Sequence, residues 1–119
     1  MKNKKILIVD DDLTVLEVLS LMLKDDYEVI TATNGKEAID KYRKFRPDIV
    51  LMDVVMPEMD GIQAAKEILK IDPKAKIIAI SAYAKHRGKD MLEAGAIDIL
   101  DKPFTRTKLI EIINKHLRE

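Results

Sequence analysis

The chain has no cysteine among its 119 residues. Neither a disulfide framework nor a thiolate metal site is open to it, which suits a reducing compartment. It has no excess of charge of either sign, because 21 Lys and Arg balance 21 Asp and Glu. A broad basic face for nucleic acid is not expected from that balance. It has no long apolar run. No stretch approaches the ~20 residues that span a bilayer, and the run Ile6–Val9 behind the lysine-rich start is too short for a signal peptide. It has no low-complexity segment, linker or solenoid-type repeat. The expectation is a cytoplasmic protein without membrane insertion. A chain of this length can bury roughly two thirds of its unfolded surface. That supports a single domain over residues 1–119, with no output domain.

What the sequence does have is an alternation of short apolar runs and amphipathic segments. The run Lys5–Val9 stops at three aspartates and suits a strand buried on both faces. Leu13–Leu23 repeats Leu16, Leu19 and Leu23 at helical spacing, with Val15, Val18 and Met22 widening the stripe. Thr14 with Glu17 has capping-box spacing, and Asp12 is a second candidate cap. Tyr27–Ala32 reads as a strand broken by Asn34-Gly35, and Lys36–Phe45 as a helix ended by Arg46-Pro47. Ile49–Met52 is a third strand, Ile62–Ile71 a helix closed by Asp72-Pro73, and Lys76–Ile80 a fourth strand. Lys85–Ala94 is a weaker helix containing Gly88, with Gly95 past its end. Ile97–Leu100 is a fifth strand, and Thr105 caps a last helix with Leu109, Ile112, Ile113 and Leu117 on one face. Five successive βα units predict an α/β fold with a parallel sheet covered by helices on both sides.

Ligands of such sheets bind beyond the carboxyl ends of the strands. Strand one ends in Asp10, Asp11 and Asp12, strand three in Asp53 and strand four in Ser81, and strand five is followed by Lys102. Carboxylates gathered at one edge repel, and a cation resolves the conflict. An all-oxygen set with few protein ligands favours Mg²⁺, which keeps waters and takes a phosphate oxygen. With Lys102 as a second positive charge, the set suits phosphoryl transfer, in which charge spreads over three equatorial oxygens. A carboxylate can itself be the nucleophile and form an aspartyl-phosphate. Ser81 can donate a hydrogen bond to the attached group. The first loop has no glycine, so a dinucleotide or P-loop site is not expected there.

These segments together resemble the receiver domains of two-component response regulators. The likeness is carried by Ile6–Asp11, Asn34–Ala38, Pro47–Asp53, Met56–Gly61, Ser81-Ala82, Gly95-Ala96 and Lys102–Phe104, in order along essentially the full chain. The resemblance implies a flavodoxin-like doubly wound sheet of order 2-1-3-4-5. It implies that Asp53 accepts the phosphoryl group. It implies Mg²⁺ ligands from Asp11, Asp53 and the Val55 carbonyl, with Asp10 close by. It also implies that Ser81 moves toward the phosphoryl group, that Lys102 pairs with it, and that the Lys102-Pro103 bond is cis. The partner would be a histidine kinase or histidine phosphotransfer protein, and a monomer would signal to a downstream protein through the fourth helix, fifth strand and fifth helix. Gly88 makes that helix a mobile element. Self-phosphorylation and slow autodephosphorylation, rather than turnover of a substrate, would be its only catalysis. One position departs from the family pattern: Ile99 stands where many receivers carry a switching aromatic. Tyr83 is then a candidate signalling residue, and Val55 and Tyr83 would control water access to the site.

Other readings compete. Asp10-x-Asp12-x-Thr14 also fits the opening motif of haloacid-dehalogenase-type phosphatases, with Asp10 as nucleophile and Asp12 as acid/base. That reading leaves Asp53 and Met56–Gly61 without a role. An interaction module without phosphorylation is a third reading, opposed by the cost of gathering unused charges. Outside the acidic set, Gly35, Gly61 and Gly95 read as structural. His86 and His116 read as surface histidines, and Lys108, Lys115 and Arg118 as a solvated face of the last helix.

Overall fold

The computed structural model describes residues 3–54, 61–81 and 84–118, the side chains of Ser81 and of residues 84–88 excepted. Strands β1 (Lys5–Val9), β2 (Glu28–Ala32), β3 (Ile49–Asp53), β4 (Ile77–Ser81) and β5 (Asp98–Asp101) alternate with helices α1 (Leu13–Leu23), α2 (Gly35–Phe45), α3 (Gly61–Ile71), α4 (Ala84–Glu93) and α5 (Arg106–Leu117). The sheet is parallel throughout, in the expected order β2-β1-β3-β4-β5.

Strand parity sorts the core into two layers. Leu7, Val9, Val50, Met52, Ile77 and Ala79 face α2, α3 and α4, where they meet Ala38, Tyr42, Ala64, Ile68 and Met91. Ile6, Ile8, Ile49, Leu51, Ile78 and Ile80 face α1 and α5, where they meet Leu16, Leu19, Leu23, Leu109 and Ile113. Both faces of the inner strands are covered, so β1 and β3 read as unbroken apolar runs. Each fully buried Leu or Ile contributes about 1.5–3 kcal/mol relative to exposure.

Helix ends follow their local chemistry. Asp12, not Thr14, caps α1: its Oδ1 accepts from the Thr14 and Val15 amides at 2.9 and 3.4 Å. Asn34 caps α2 by accepting from the Glu37 amide, and Glu37 Oε1 in turn accepts from the Thr33 amide. Thr105 caps α5 through the Lys108 amide, as its position predicts. Gly95 ends α4 at φ 112°. Strand β2 begins one residue later than expected, because the Tyr27 amide closes the turn onto the Leu23 carbonyl and its hydroxyl bonds Asn114.

A further expectation fails. His116 is not a surface histidine but is 4% exposed, with Nε2 2.8 Å from Asp98 Oδ2 at the start of β5. Its spacing from Leu109 and Ile113 continues the apolar stripe of α5, and the charged neighbours Lys115 and Arg118 disguise this in the sequence. His86 lies in α4, and its side chain is outside the described residues.

Candidate functional site

The register of β1 on β3 pairs Val9 with Met52. One step further along both strands brings Asp10 beside Asp53. The Asp10 amide donates to the Ala32 carbonyl at 3.1 Å, which extends the β1–β2 ladder and fixes the aspartate's backbone. Carboxylate oxygens of Asp10, Asp11 and Asp53 all lie within 4.8 Å of one another. They are graded in exposure, with Asp10 buried, Asp53 half-buried and Asp11 exposed. The site is thus open at one side, with its most enclosed member underneath.

Asp10 is 3% exposed, and both of its oxygens are engaged. Oδ1 accepts from the Asp12 amide at 2.9 Å. Oδ2 lies 3.4 Å from the Lys102 ammonium. Lys102 follows β5 and precedes a cis prolyl bond to Pro103, as the family resemblance implied. The structure therefore brings together Asp10, Asp11, Asp53 and Lys102 from the ends of three strands. Asp12 belongs to the capping of α1, and its backbone amide orients Asp10. The sequence reading missed this second contribution, although an Asp-x-Asp step from a strand into a capped helix is the pattern that could have shown it.

Ser81 ends β4 one position beyond Ile80, the cross-strand partner of Asp53. Its backbone thus reaches the same edge, while its side chain lies outside the described residues, as do Val55 and Tyr83. Ile99 is half-buried against the layer of core that includes Ala79 and Met91, and its amide donates to Asp98 Oδ1 at 2.8 Å. It presents no ring to couple with Ser81.

The donor set fits a hard cation. Among the described residues three carboxylates converge with no sulfur or imidazole in the group, and the Lys102 ammonium lies against the most buried of them. A cation held there would supply the charge neutralisation that an incoming phosphoryl group requires.

A parallel sheet with acidic strand ends and a lysine after the last strand defines a class of signalling domain. The chain belongs to the response regulator receiver domain family, whose model matches residues 6–114. It is 48% identical to the chemotaxis protein CheY of Thermotoga maritima over 120 residues, covering 95% of this chain and 97% of that one. The receiver domain of a sensor histidine kinase from Pseudomonas aeruginosa superposes with a TM-score of 0.92 at 32% identity, covering 98% of each chain. That structure has a magnesium ion coordinated in its active-site cleft. The CheX–CheY–BeF3–Mg²⁺ complex of Borrelia burgdorferi superposes with a TM-score of 0.89 at 34% identity, covering 96% of this chain and 89% of that one. The protein is thus homologous to phosphoacceptor response regulators of two-component signalling. These are signalling switches rather than enzymes in the ordinary sense, and nothing in the comparisons supports the phosphatase reading. Among the described residues no helix is long and apolar enough to cross a membrane.

Proposed function

We propose that Asp53 is the phosphoacceptor and that Asp10, Asp11 and Asp53, with the Val55 carbonyl, hold the Mg²⁺ that the reaction needs. The observation that carries this reading is the convergence of three carboxylates within 4.8 Å, with Lys102 anchored on the most buried of them. A carboxylate oxygen of Asp53 attacks the phosphorus of a phosphohistidine. The P–N bond breaks, its electron pair returns to the imidazole, and an aspartyl-phosphate remains. Mg²⁺ held by Asp10, Asp11 and Asp53 would neutralise charge on the transferring oxygens. Lys102 supplies fixed positive charge beside them, and Ser81 donates a hydrogen bond to the attached group. Asp10 stays in place because the Asp12 amide and Lys102 hold both of its oxygens.

The donor is a histidine kinase or histidine phosphotransfer protein, and water removes the group slowly afterwards. The chain acts as one switch domain, a monomer whose output passes to a partner protein across α4, β5 and α5. On that face Ile99, Leu100, Lys108, Glu111 and Ile112 line a cleft of about 320 Å³.

The test is intact mass after incubation with Mg²⁺ and acetyl phosphate. Wild type gains one phosphoryl group, loses the gain when Mg²⁺ is chelated, and Asp53→Asn gains none. An adduct that survives Asp53→Asn and disappears in Asp10→Asn would assign the nucleophile to Asp10 instead.

A further inference from the structure

Gly61 is buried at the first position of α3, and its amide donates to the Val54 carbonyl at 2.9 Å. A methyl group in place of its hydrogen would lie 2.2 Å from the Asp53 carbonyl oxygen and 3.1 Å from Val54 Cα. The first distance is far inside van der Waals contact. The atoms met are backbone, so nothing can rotate aside as a side-chain tip would. Gly61 does not occupy the left-handed region. Proximity, not conformational freedom, is what requires glycine there.

We propose that Gly61 is a positioning residue for the phosphoacceptor: its bare Cα lets α3 seat on the carbonyl of Asp53, and that seat sets where the Asp53 carboxylate meets Asp10 and Asp11. The inference rests on the reading of Asp53 given above. β3 is held laterally by the ladders to β1 and β4, and just past Asp53 the Val54 amide bonds the Ile80 carbonyl at 3.3 Å. Those bonds lie in the plane of the sheet. The contact with Gly61 comes from the helical layer and restrains the Asp53 peptide out of that plane. A Cβ at position 61 must push α3 away or turn the Asp53 peptide. The carboxylate hangs from the same Cα, so its oxygens move with that peptide. Metal coordination and in-line attack both tolerate little displacement.

Gly95 provides a control away from the site. A Cβ there would lie 2.3 Å from Leu69 Cδ1 at φ 112°, beside the start of β5 and thus at the opposite edge of the sheet. Gly61→Ala, Gly95→Ala and wild type are compared by Mg²⁺ titration calorimetry, by the Mg²⁺ dependence of labelling with acetyl phosphate, and by urea unfolding. Gly61→Ala is expected to need at least about tenfold more Mg²⁺ for half-maximal labelling. Gly95→Ala is expected to lose stability while keeping the wild-type Mg²⁺ dependence. If Gly61→Ala loses stability but binds Mg²⁺ and labels like wild type, Gly61 is merely structural and the proposal is overturned. Should Gly61→Ala fail to fold, the wild-type amide spectrum decides. The Gly61 resonance should shift on Mg²⁺ addition and in Asp53→Asn while that of Gly95 stays in place, and an unmoved Gly61 resonance overturns the proposal. Asp53→Asn with wild-type Mg²⁺ affinity and labelling would instead defeat the reading of Asp53 itself, whatever Gly61→Ala does.

Discussion

Lys102 is the cation beside the buried Asp10 carboxylate, and the proposed chemistry would use its charge. Lys102 is 27% exposed by its side chain and sits 3.4 Å from Asp10 Oδ2, so its charge is only partly enclosed. Lys102→Met removes that charge and keeps much of the stem. Labelling by acetyl phosphate should slow about 100-fold, the usual scale for losing one preorganised electrostatic contact. Mg²⁺ affinity should hold or rise, since the site becomes more negative. Mass-detected labelling rates and titration calorimetry check both halves, and wild-type rates in the variant would remove Lys102 from the chemistry. Asp98 shows the same logic away from the site. Burial pushes its carboxyl up, but the hydrogen bond to His116, the Ile99 amide and the charges of His116 and Lys115 outweigh burial and hold it below the ordinary carboxylate value. A depressed carboxyl stabilises the fold above its unfolded pKa, and that contribution disappears as pH falls through the lower folded value. Asp98→Asn should therefore cost about 2 kcal/mol at pH 6. Urea midpoints of variant and wild type should converge below about pH 3, whereas a gap unchanged from pH 6 to pH 2 would contradict this account of the pair.

At the scale of the element, the turn from β1 into α1 divides three consecutive aspartates among distinct jobs. Asp10 reaches inward, Asp11 outward to the cluster, and Asp12 caps the helix with its side chain while its amide holds Asp10. Asp12→Ala should cost about 1 kcal/mol of stability. Labelling with acetyl phosphate should stay within about twofold of wild type, because the Asp12 amide survives the substitution. A loss of labelling without loss of stability would point to chemistry at Asp12. The sequence showed the apolar runs, the aspartates at strand ends and the cap at Thr105, because these are local patterns, but for α1 it left both Thr14 and Asp12 as candidate caps. It hid His116, since burial there depends on how α5 lies across β5, and charged neighbours on the same turn masked the stripe. It showed Gly61 as a structural glycine closing the family-like segment Met56–Gly61. That two backbones touch at Asp53 is a property of layer packing, and no spacing of residues encodes it.

For the whole molecule, the fold gathers like charge at one edge of the sheet. Three carboxylates within 4.8 Å repel one another. Asp53→Asn removes one of them with little change of shape, so in chelator it should be more stable than wild type by about 1 kcal/mol. Added Mg²⁺ should close or reverse that gap, because a ligand at 100 times its dissociation constant stabilises by about 2.7 kcal/mol. Urea unfolding with and without Mg²⁺ measures both effects, and a wild type already more stable than Asp53→Asn in chelator would mean that the cluster is not strained. The order of the five strands was legible only through family resemblance. Alternation fixes that the sheet is parallel, whereas the order determines which aspartates become neighbours. The central claim is that the transferred group rests on Asp53. The most direct measurement is borohydride reduction of the freshly labelled protein, followed by peptide mass analysis, since reduction converts an aspartyl-phosphate to homoserine. Homoserine at position 53 and nowhere else is the predicted result. Aspartate retained at 53 with homoserine at 10 or 11 would contradict it.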